Sequence, residues 1–182
     1  MKIKTLGFLT AATIMSVTGA ANANLLFDIY AGGTFGVGGY ALLADENETY
    51  SAQSYGAVFG MDIPMFRIEL EYNYMDADEM TLNLGMVNGY FKLPTPVVKP
   101  YIGAGIGTTF SSKYEPAKNI SLDIDDTVAY QGMLGVTFDL PVIPFNIDVE
   151  GRVLYASDLF EYANEDIDLL QYEGRVKLRY VF

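Results

Sequence analysis

Residues 170–182 read Leu-Gln-Tyr-Glu-Gly-Arg-Val-Lys-Leu-Arg-Tyr-Val-Phe, and apolar and polar side chains alternate along them almost without interruption. Successive side chains of a β-strand point to opposite faces. One face would therefore carry leucine, valine and aromatic residues, and the other Glu173, Arg175, Lys177 and Arg179. This period of two predicts a β-strand with one apolar and one charged face. A slip of one residue would exchange the faces, so the pattern also specifies the strand register.

The amino-terminal residues have the organisation of a secretory signal peptide. Lys2 and Lys4 precede an apolar run over residues 6–17, and Ala21-Asn22-Ala23 supplies a small-x-small cleavage site. We predict a signal peptide over residues 1–23 and a mature chain beginning at Asn24. The run is shorter than the roughly 20 residues that a spanning helix needs, and no later segment is long enough. The chain also contains no cysteine, so neither disulfides nor a lipid-modified cysteine are expected.

Two kinds of connection alternate along the mature chain. Six of the seven prolines lie at residues 62–65, 93–100 and 140–144, and acidic segments lie at 39–52, 75–79, 111–127 and 156–168. Proline cannot donate to a strand ladder, so these clusters mark strand ends. Seven connections predict eight strands, near residues 25–38, 54–61, 67–74, 81–92, 101–110, 128–139, 145–155 and 170–182. In the fourth, Leu82 and Leu84 are out of phase with Val87, which predicts a β-bulge near Gly85.

The polar faces of these predicted strands carry charges of both signs in nearly equal number. They are Arg67, Glu69, Glu71, Asp139, Asp148, Glu150, Arg152, Glu173, Arg175, Lys177 and Arg179. In a soluble protein these side chains would face water, whereas in a membrane barrel they would line the interior. Tyrosines and phenylalanines near the strand ends of the apolar faces favour the membrane barrel. Because an eight-stranded barrel has an interior just wide enough for side chains to fill, we predict that the charges pair and form a plug.

Three segments carry a resemblance to a known family: Phe27-Asp28-Ile29-Tyr30-Ala31-Gly32-Gly33, Lys99-Pro100-Tyr101-Ile102-Gly103-Ala104-Gly105-Ile106-Gly107 and Tyr180-Val181-Phe182. Over essentially its whole mature length the chain resembles the small eight-stranded outer-membrane β-barrels, the OmpA-like and opacity-protein-like proteins. The resemblance implies that residues 24–182 form an all-β, eight-stranded, antiparallel, up-and-down transmembrane barrel. It also implies a monomer in a Gram-negative outer membrane, in contact with lipid and lipopolysaccharide. Tyr180 and Phe182 would be the assembly signal that the barrel-assembly machinery reads.

No catalytic or cofactor-binding residue is predicted. The chain has no histidine, and outer-membrane barrels that modify lipid A or cleave proteins resemble one another in using one. Carboxylates alone could perform acid–base chemistry, but pairing with the arginines explains them more simply. Gly103-x-Gly105-x-Gly107 is followed by no helix that could receive a phosphate. Asp123, Asp125 and Asp126 have calcium-ligand chemistry but lack the glycine and distal glutamate of an EF-hand loop, so they are only weak metal candidates.

These observations predict a non-enzymatic integral outer-membrane protein that supports envelope integrity or interacts with a host or surface ligand. Fifteen of the 23 acidic residues lie in the four acidic segments, which would form surface loops and could hold divalent cations against lipopolysaccharide phosphates. One alternative is a narrow pore or conduit for small solutes. Another is a secreted or periplasmic β-sandwich that binds a ligand. The net charge of −12 argues against nucleic acid as a partner.

Overall fold

The computed structural model describes residues 27–43, 49–77, 80–110, 112–117, 120–124, 127–140, 143–162 and 165–182. The predicted signal peptide lies outside these residues. Within them no helix is long and apolar enough to cross a membrane. Ten strands are present: β1 Asp28–Leu43, β2 Thr49–Asp62, β3 Phe66–Ala77, β4 Met80–Lys92, β5 Val98–Thr109, β6 Ser112–Ala117, β7 Ile120–Ile124, β8 Val128–Asp139, β9 Phe145–Tyr162 and β10 Glu165–Val181.

Eight of these strands close into one antiparallel barrel. Its order is β1, β2, β3, β4, β5, β8, β9 and β10, and β10 pairs with β1 from Tyr30↔Val181 to Leu43↔Asp168. The predicted fold class is therefore confirmed. A single closed sheet is incompatible with the β-sandwich alternative. The hairpin of β6 and β7 was not predicted; it continues the sheet from the end of β4, where Met80 pairs with Tyr114.

The two ends of the barrel differ. One, which we call the turn end, holds the three proline-containing connections and the residues at either end of the described chain, Phe27 and Phe182. The other, the loop end, holds the acidic connections. There the strands run further than predicted, since β9 spans 18 residues and β10 spans 17. Much of each predicted loop remains strand because its two sides continue to pair with each other, as from Leu170↔Tyr155 to Glu165↔Tyr162.

The outer face of the barrel is apolar and is bordered by aromatic rings at both ends. Leu134 and Ile102 are 69% and 60% exposed. Ring pairs lie toward the turn end, such as Phe145–Tyr180 at 5.2 Å, and toward the loop end, such as Tyr72–Phe110 at 6.0 Å. From Phe145 to Tyr155 on β9 is ten residues, which at the usual rise and a tilt near 40° spans about 25 Å. That height matches the apolar band of a membrane barrel.

The predicted bulge near Gly85 is wrong. The β3–β4 register runs unshifted from Phe66↔Phe91 to Ala77↔Met80, and the β4–β5 register from Lys92↔Tyr101 to Leu84↔Thr109. Leu82 and Leu84 therefore keep the phase of Asn88 and point into the barrel, where they are fully buried. They broke the expected pattern because the interior at the loop end is itself apolar, so inward and outward positions of β4 carry the same residue type.

Candidate functional site: the barrel interior

The interior is divided into two parts of different chemistry. We call the part nearer the turn end the ionic half. Ten of the predicted charged residues are buried there: Arg67, Glu69, Glu71, Asp148, Glu150, Arg152, Glu173, Arg175, Lys177 and Arg179. Five of them are cationic and five anionic, so these ten charges balance one another. Burial of a charge is tolerated only when it is paired and hydrogen-bonded, and the contacts of each carboxylate show how this is met.

Arg175 of β10 joins two carboxylates on different sides of the barrel. Its Nε pairs with Glu150 of β9, and its Nη1 and Nη2 both donate to Glu71 of β3, the second at 3.3 Å from Oε2. Glu71 Oε2 also accepts from Asn88 Nδ2 at 2.7 Å, and Glu150 Oε2 accepts from Tyr101 OH at 2.8 Å. A planar guanidinium suits such multiple contacts. Arg175 thus links β3, β9 and β10 through the barrel centre.

Asp148 is the anionic centre nearest the turn end. Arg179 contacts it with two nitrogens, Nε at 2.8 Å and Nη2 at 2.9 Å, and Arg67 Nη1 donates at 2.9 Å. The guanidinium carbon of Arg67 also lies 3.9 Å from the ring centroid of Tyr90 and 4.7 Å from that of Tyr101. Cation–π contacts of this kind favour a desolvated cation. They supplement the ion pair that Arg67 makes with Asp148.

Glu69 and Glu173 are each held by one close cation and by neutral donors. Glu69 pairs with Lys177 at 2.6 Å and accepts hydroxyl hydrogen bonds from Tyr30 at 2.7 Å and Tyr90 at 2.8 Å. Glu173 pairs with Arg152 at 2.9 Å and accepts from Ser54 at 2.8 Å and from Gln171 at 3.0 Å. Additional hydrogen bonds are what make a buried ion pair tolerable. The network therefore depends on its neutral members as well as on its charges.

These neutral members were missed in the sequence analysis. Tyr30, Tyr90, Tyr101, Asn88 and Gln131 all point inward and bond to network residues. An uninterrupted alternation along β4 would have placed Asn88, Tyr90 and Lys92 on the interior face, but the assumed bulge obscured it. Tyrosine alone gives no such signal, because it also occurs in the outer aromatic rings.

Asp139 is not part of this network. It lies at the turn-end rim and pairs with Lys99, and the two side chains keep 32% and 27% of their surface exposed. Nearby, Asp62 pairs with Lys92 and receives Arg179 Nη1 at 3.4 Å. These rim residues border an open cavity of about 600 Å³, the turn-end cavity, whose polar lining comprises Asp28, Asp62, Lys92, Thr95, Lys99, Asp139 and Asn146.

The interior toward the loop end is filled by apolar side chains, and we call it the apolar half. Its buried cluster consists of Tyr40, Ala52, Met75, Leu82, Leu84, Met86, Ala129, Leu154, Ala156 and Leu169. The ring of Tyr40 stacks on that of Tyr50 at 5.3 Å. None of the clustered side chains is charged. A solute moving along the barrel axis would therefore meet an apolar layer after the ionic half.

The glycines at residues 103, 105 and 107 make room for this interior packing. A methyl group at Gly103 would lie 2.4 Å from a ring carbon of Tyr90, and one at Gly105 would lie 2.0 Å from Asn88 Oδ1. Both approaches are shorter than van der Waals contact. The alternation of glycines on β5 is explained by the large side chains that it faces.

The weak metal candidates stay predictions. Asp125 and Asp126 lie outside the described residues, and of Asp123 only the backbone is described, within β7 and paired with Lys113. In the rest of the described chain, no group of three or more acidic residues is placed to hold a metal ion.

Comparison with known proteins yields structural relatives alone. No family model matches the chain, and neither does any curated protein. Neisserial surface protein A (NspA) superposes with a TM-score of 0.61 at 13% identity, over 82% of this chain and 95% of that one. The N-terminal β-barrel domain of Pseudomonas aeruginosa OprF gives 0.55 at 13% identity, over 83% and 97%. The outer membrane enzyme PagL gives 0.54 at 12% identity, over 79% and 97%.

These likenesses confirm the predicted resemblance to small outer-membrane barrels at the level of fold. The identities are too low to carry an activity from one chain to another. One of the three similar structures is an enzyme, so the fold by itself does not decide whether this protein is a catalyst. That question rests on its own residues.

Proposed function

We propose that this protein is a non-enzymatic integral barrel of a Gram-negative outer membrane, reached after export by the predicted signal peptide, and that its interior is closed. The filled interior is the observation that carries this proposal. An apolar outer face about 25 Å high suits the hydrocarbon core of a membrane. Barrels of this kind have short turns on the periplasmic side and longer loops on the outer side. We therefore place the turn end in the periplasm and the loop end at the cell surface.

Closure follows from two barriers in series. An ion would have to separate buried pairs such as Arg175–Glu71 and then cross the apolar half, where no charged side chain of the cluster replaces its water. The test is single-channel recording in planar bilayers, on protein whose insertion is verified by heat-modifiable gel migration. We expect no steady conductance. Long-lived openings of constant size would instead establish the narrow-pore alternative.

We propose that the protein is not an enzyme because the carboxylates of the ionic half are all buried and paired with cations. Each acid of the ionic half is buried and bound by a cation, as Glu69 is by Lys177 and Glu173 by Arg152. A general acid or base must reach a substrate proton, and these groups are already occupied. Expression in a host with defined lipid A, followed by mass spectrometry, should show unchanged lipid A. A mass shift that Glu71→Gln or Glu150→Gln abolishes in the folded protein would overturn this.

The outward role is proposed for the loop-end hairpins. Beyond Tyr155 and Tyr172, β9 and β10 continue to Tyr162 and back from Glu165 as a paired ribbon, about 20 Å further along the strand. The paired backbone carries this acidic part of the sequence beyond the apolar band. We propose that the acidic hairpins contact lipopolysaccharide and a host or surface ligand, while the closed barrel supports envelope integrity.

Deleting residues 158–167 separates these two roles. We expect weaker binding of cells to host surfaces, with outer-membrane permeability unchanged. Deletion of residues 112–124, which removes the β6–β7 hairpin, should also weaken binding without changing permeability, because the proposal assigns ligand contact to both hairpins. Increased permeability without any loss of binding would assign the protein to envelope integrity alone.

We further propose that the barrel is a monomer whose Tyr180 and Phe182 are recognised by the barrel-assembly machinery. Tyr180 packs against Phe145 and Phe182, with both ring centroids at 5.2 Å. Phe182→Ser should lower the folded fraction in cells while leaving refolding in detergent unchanged. Phe66→Ser, an aromatic change on β3 at the same end, is the control. Equal losses for both variants in cells would show that surface aromaticity, and not the terminal position, matters.

A further inference from the structure

We propose that the turn-end cavity binds short peptides through their free amino and carboxyl ends. Its volume of about 600 Å³ lies within the range of roughly 300–1,000 Å³ that small-molecule sites occupy. Its lining combines three aspartates with two lysines. The inner side is closed by the contacts of Asp62 with Lys92 and Arg179. The cavity is therefore a dead-end site and not the entrance to a channel.

The amino end is assigned to Asp28. In the β1–β2 register Asp28 lies directly opposite Asp62, and like charges so placed are unfavourable. Lys92 and Arg179 both contact Asp62, whereas no cation lies within ion-pair distance of Asp28 in the part of the chain that the structure describes. Asp28 is exposed at the rim of the cavity and interacts with Lys92 only through space, so its carboxylate is accessible to the ammonium group of a ligand.

The carboxyl end is assigned to Lys99. Its ammonium group contacts Asp139 and remains 27% exposed, and an ammonium carries three donors. At least one donor is thus available for a ligand carboxylate. Lys99 on β5 lies across the barrel mouth from Asp28 on β1, since three strands separate them in each direction around the ring. In a free amino acid the ammonium and carboxylate groups are attached to the same carbon, so we expect it to span opposite walls less well than a peptide. A peptide gains about 3.3 Å or more with each residue.

The walls of the cavity are held by backbone hydrogen bonds. Leu93 N donates to Pro100 O, Asp139 N to Val97 O and Phe182 N to Ile29 O, each at 2.9 Å. Proline at residues 64, 94 and 96 restricts the connections further. A site held in this way loses little conformational entropy on binding.

The test is calorimetric titration of the full mature barrel, folded in detergent micelles, with trialanine. We expect binding with a dissociation constant of about millimolar order. N-acetyl-trialanine and trialanine amide, each lacking one charge, should bind about tenfold more weakly, which corresponds to about 1.4 kcal/mol. Free alanine should also bind more weakly than trialanine.

Two matched variants locate the site. Asp28→Asn should weaken trialanine about tenfold but leave N-acetyl-trialanine unaffected, because the acetylated end has no ammonium. Asp76→Asn removes an exposed acid from the opposite end of the barrel and should change nothing. The proposal would be overturned if trialanine did not bind detectably, or if the two blocked peptides bound as tightly as trialanine. Equal effects of the two variants on trialanine binding would also overturn it. Conductance of the same samples tests barrel closure separately, so failure of either proposal is recognised on its own.

Discussion

The ionic and apolar halves of the interior fill the same barrel with opposite chemistry. On β9 the two meet at consecutive inward positions, where Arg152 belongs to the ionic half and Leu154 to the apolar half, and both are buried. The outer face shows no such division, since Val149 and Val153 are both exposed and apolar. The strands themselves therefore do not determine what fills the interior. Each half has to meet a different physical requirement.

In the ionic half the requirement is compensation of charge, and in the apolar half it is volume. Removal of one buried charge leaves its partner without compensation in a medium of low dielectric constant. Removal of a buried methyl group leaves a cavity whose cost depends on how far the neighbours relax. The ionic half should thus be damaged by neutral substitutions of similar size, and the apolar half by smaller residues of the same polarity.

The largest effect is expected at Arg175. Arg175→Met keeps much of the side-chain volume but leaves Glu71 and Glu150 short of a cation, which should lower the free energy of unfolding by about 3–5 kcal/mol. Urea unfolding in lipid vesicles measures it. Arg175→Lys should be intermediate, since it keeps the charge and loses the multiple contact. A methionine variant as stable as the parent would mean that the network contributes nothing to stability.

A smaller effect is expected when a leucine of the apolar half is shortened. Leu154→Ala should lower the free energy of unfolding by about 2–4 kcal/mol, because the side chain is fully buried among fixed neighbours. Leu134→Ala makes the same change on the outer face, where lipid chains fill the space, and should cost less than about 1 kcal/mol. Similar values for the two would show that the apolar half is loosely packed.

Much of the fold could be predicted from the sequence because the two signals that define it are local. Alternation in residues 170–182 assigns both faces of β10, and proline clusters mark the three connections at the turn end. The charged members of the ionic half could be listed because a charge is improbable on the lipid side. Asp139 also occupies an inward position of an alternating strand, yet it lies at the rim of the barrel. No local sequence pattern distinguishes the rim of the barrel from its centre.

The apolar half could not be predicted for the converse reason. Leucine at residues 82, 84 and 154 is equally suited to lipid and to a packed interior, so polarity gives no direction where both faces are apolar. The bulge near Gly85 was predicted because Leu82 and Leu84 are out of phase with Val87 if all three face outward. Strand continuation beyond Tyr155 was also missed, since acidic residues favour exposed segments whether or not the backbone pairs. Both questions are decided by which residues of two neighbouring strands pair, and an apolar or an acidic segment does not specify that pairing by itself.

Two glycines on neighbouring strands compare the packed interior of the barrel with its outer face. Gly105→Ala should destabilise by about 1–3 kcal/mol, because the added methyl group meets Asn88 Oδ1, which also accepts from Gln131 Nε2 at 2.6 Å. Gly132→Ala on the neighbouring β8 points outward, with no atom within 4 Å, and should be neutral or slightly stabilising. Urea unfolding of both variants tests this, and equal destabilisation would contradict the packed state of the ionic half.

The smallest effect is expected for the rim pair of Lys99 and Asp139, which has the same charges as the buried pairs but keeps about 30% of its surface in water. A double-mutant cycle of Lys99→Met and Asp139→Asn should give a coupling free energy of only about 0.2–1 kcal/mol. It should fall further at 1 M salt, where screening acts over about 3 Å. The cycle of Lys177→Met and Glu69→Gln should exceed it and change little with salt, because water and ions do not reach that pair. Equal coupling free energies for the two pairs would mean that burial does not strengthen the ion pairs of the ionic half.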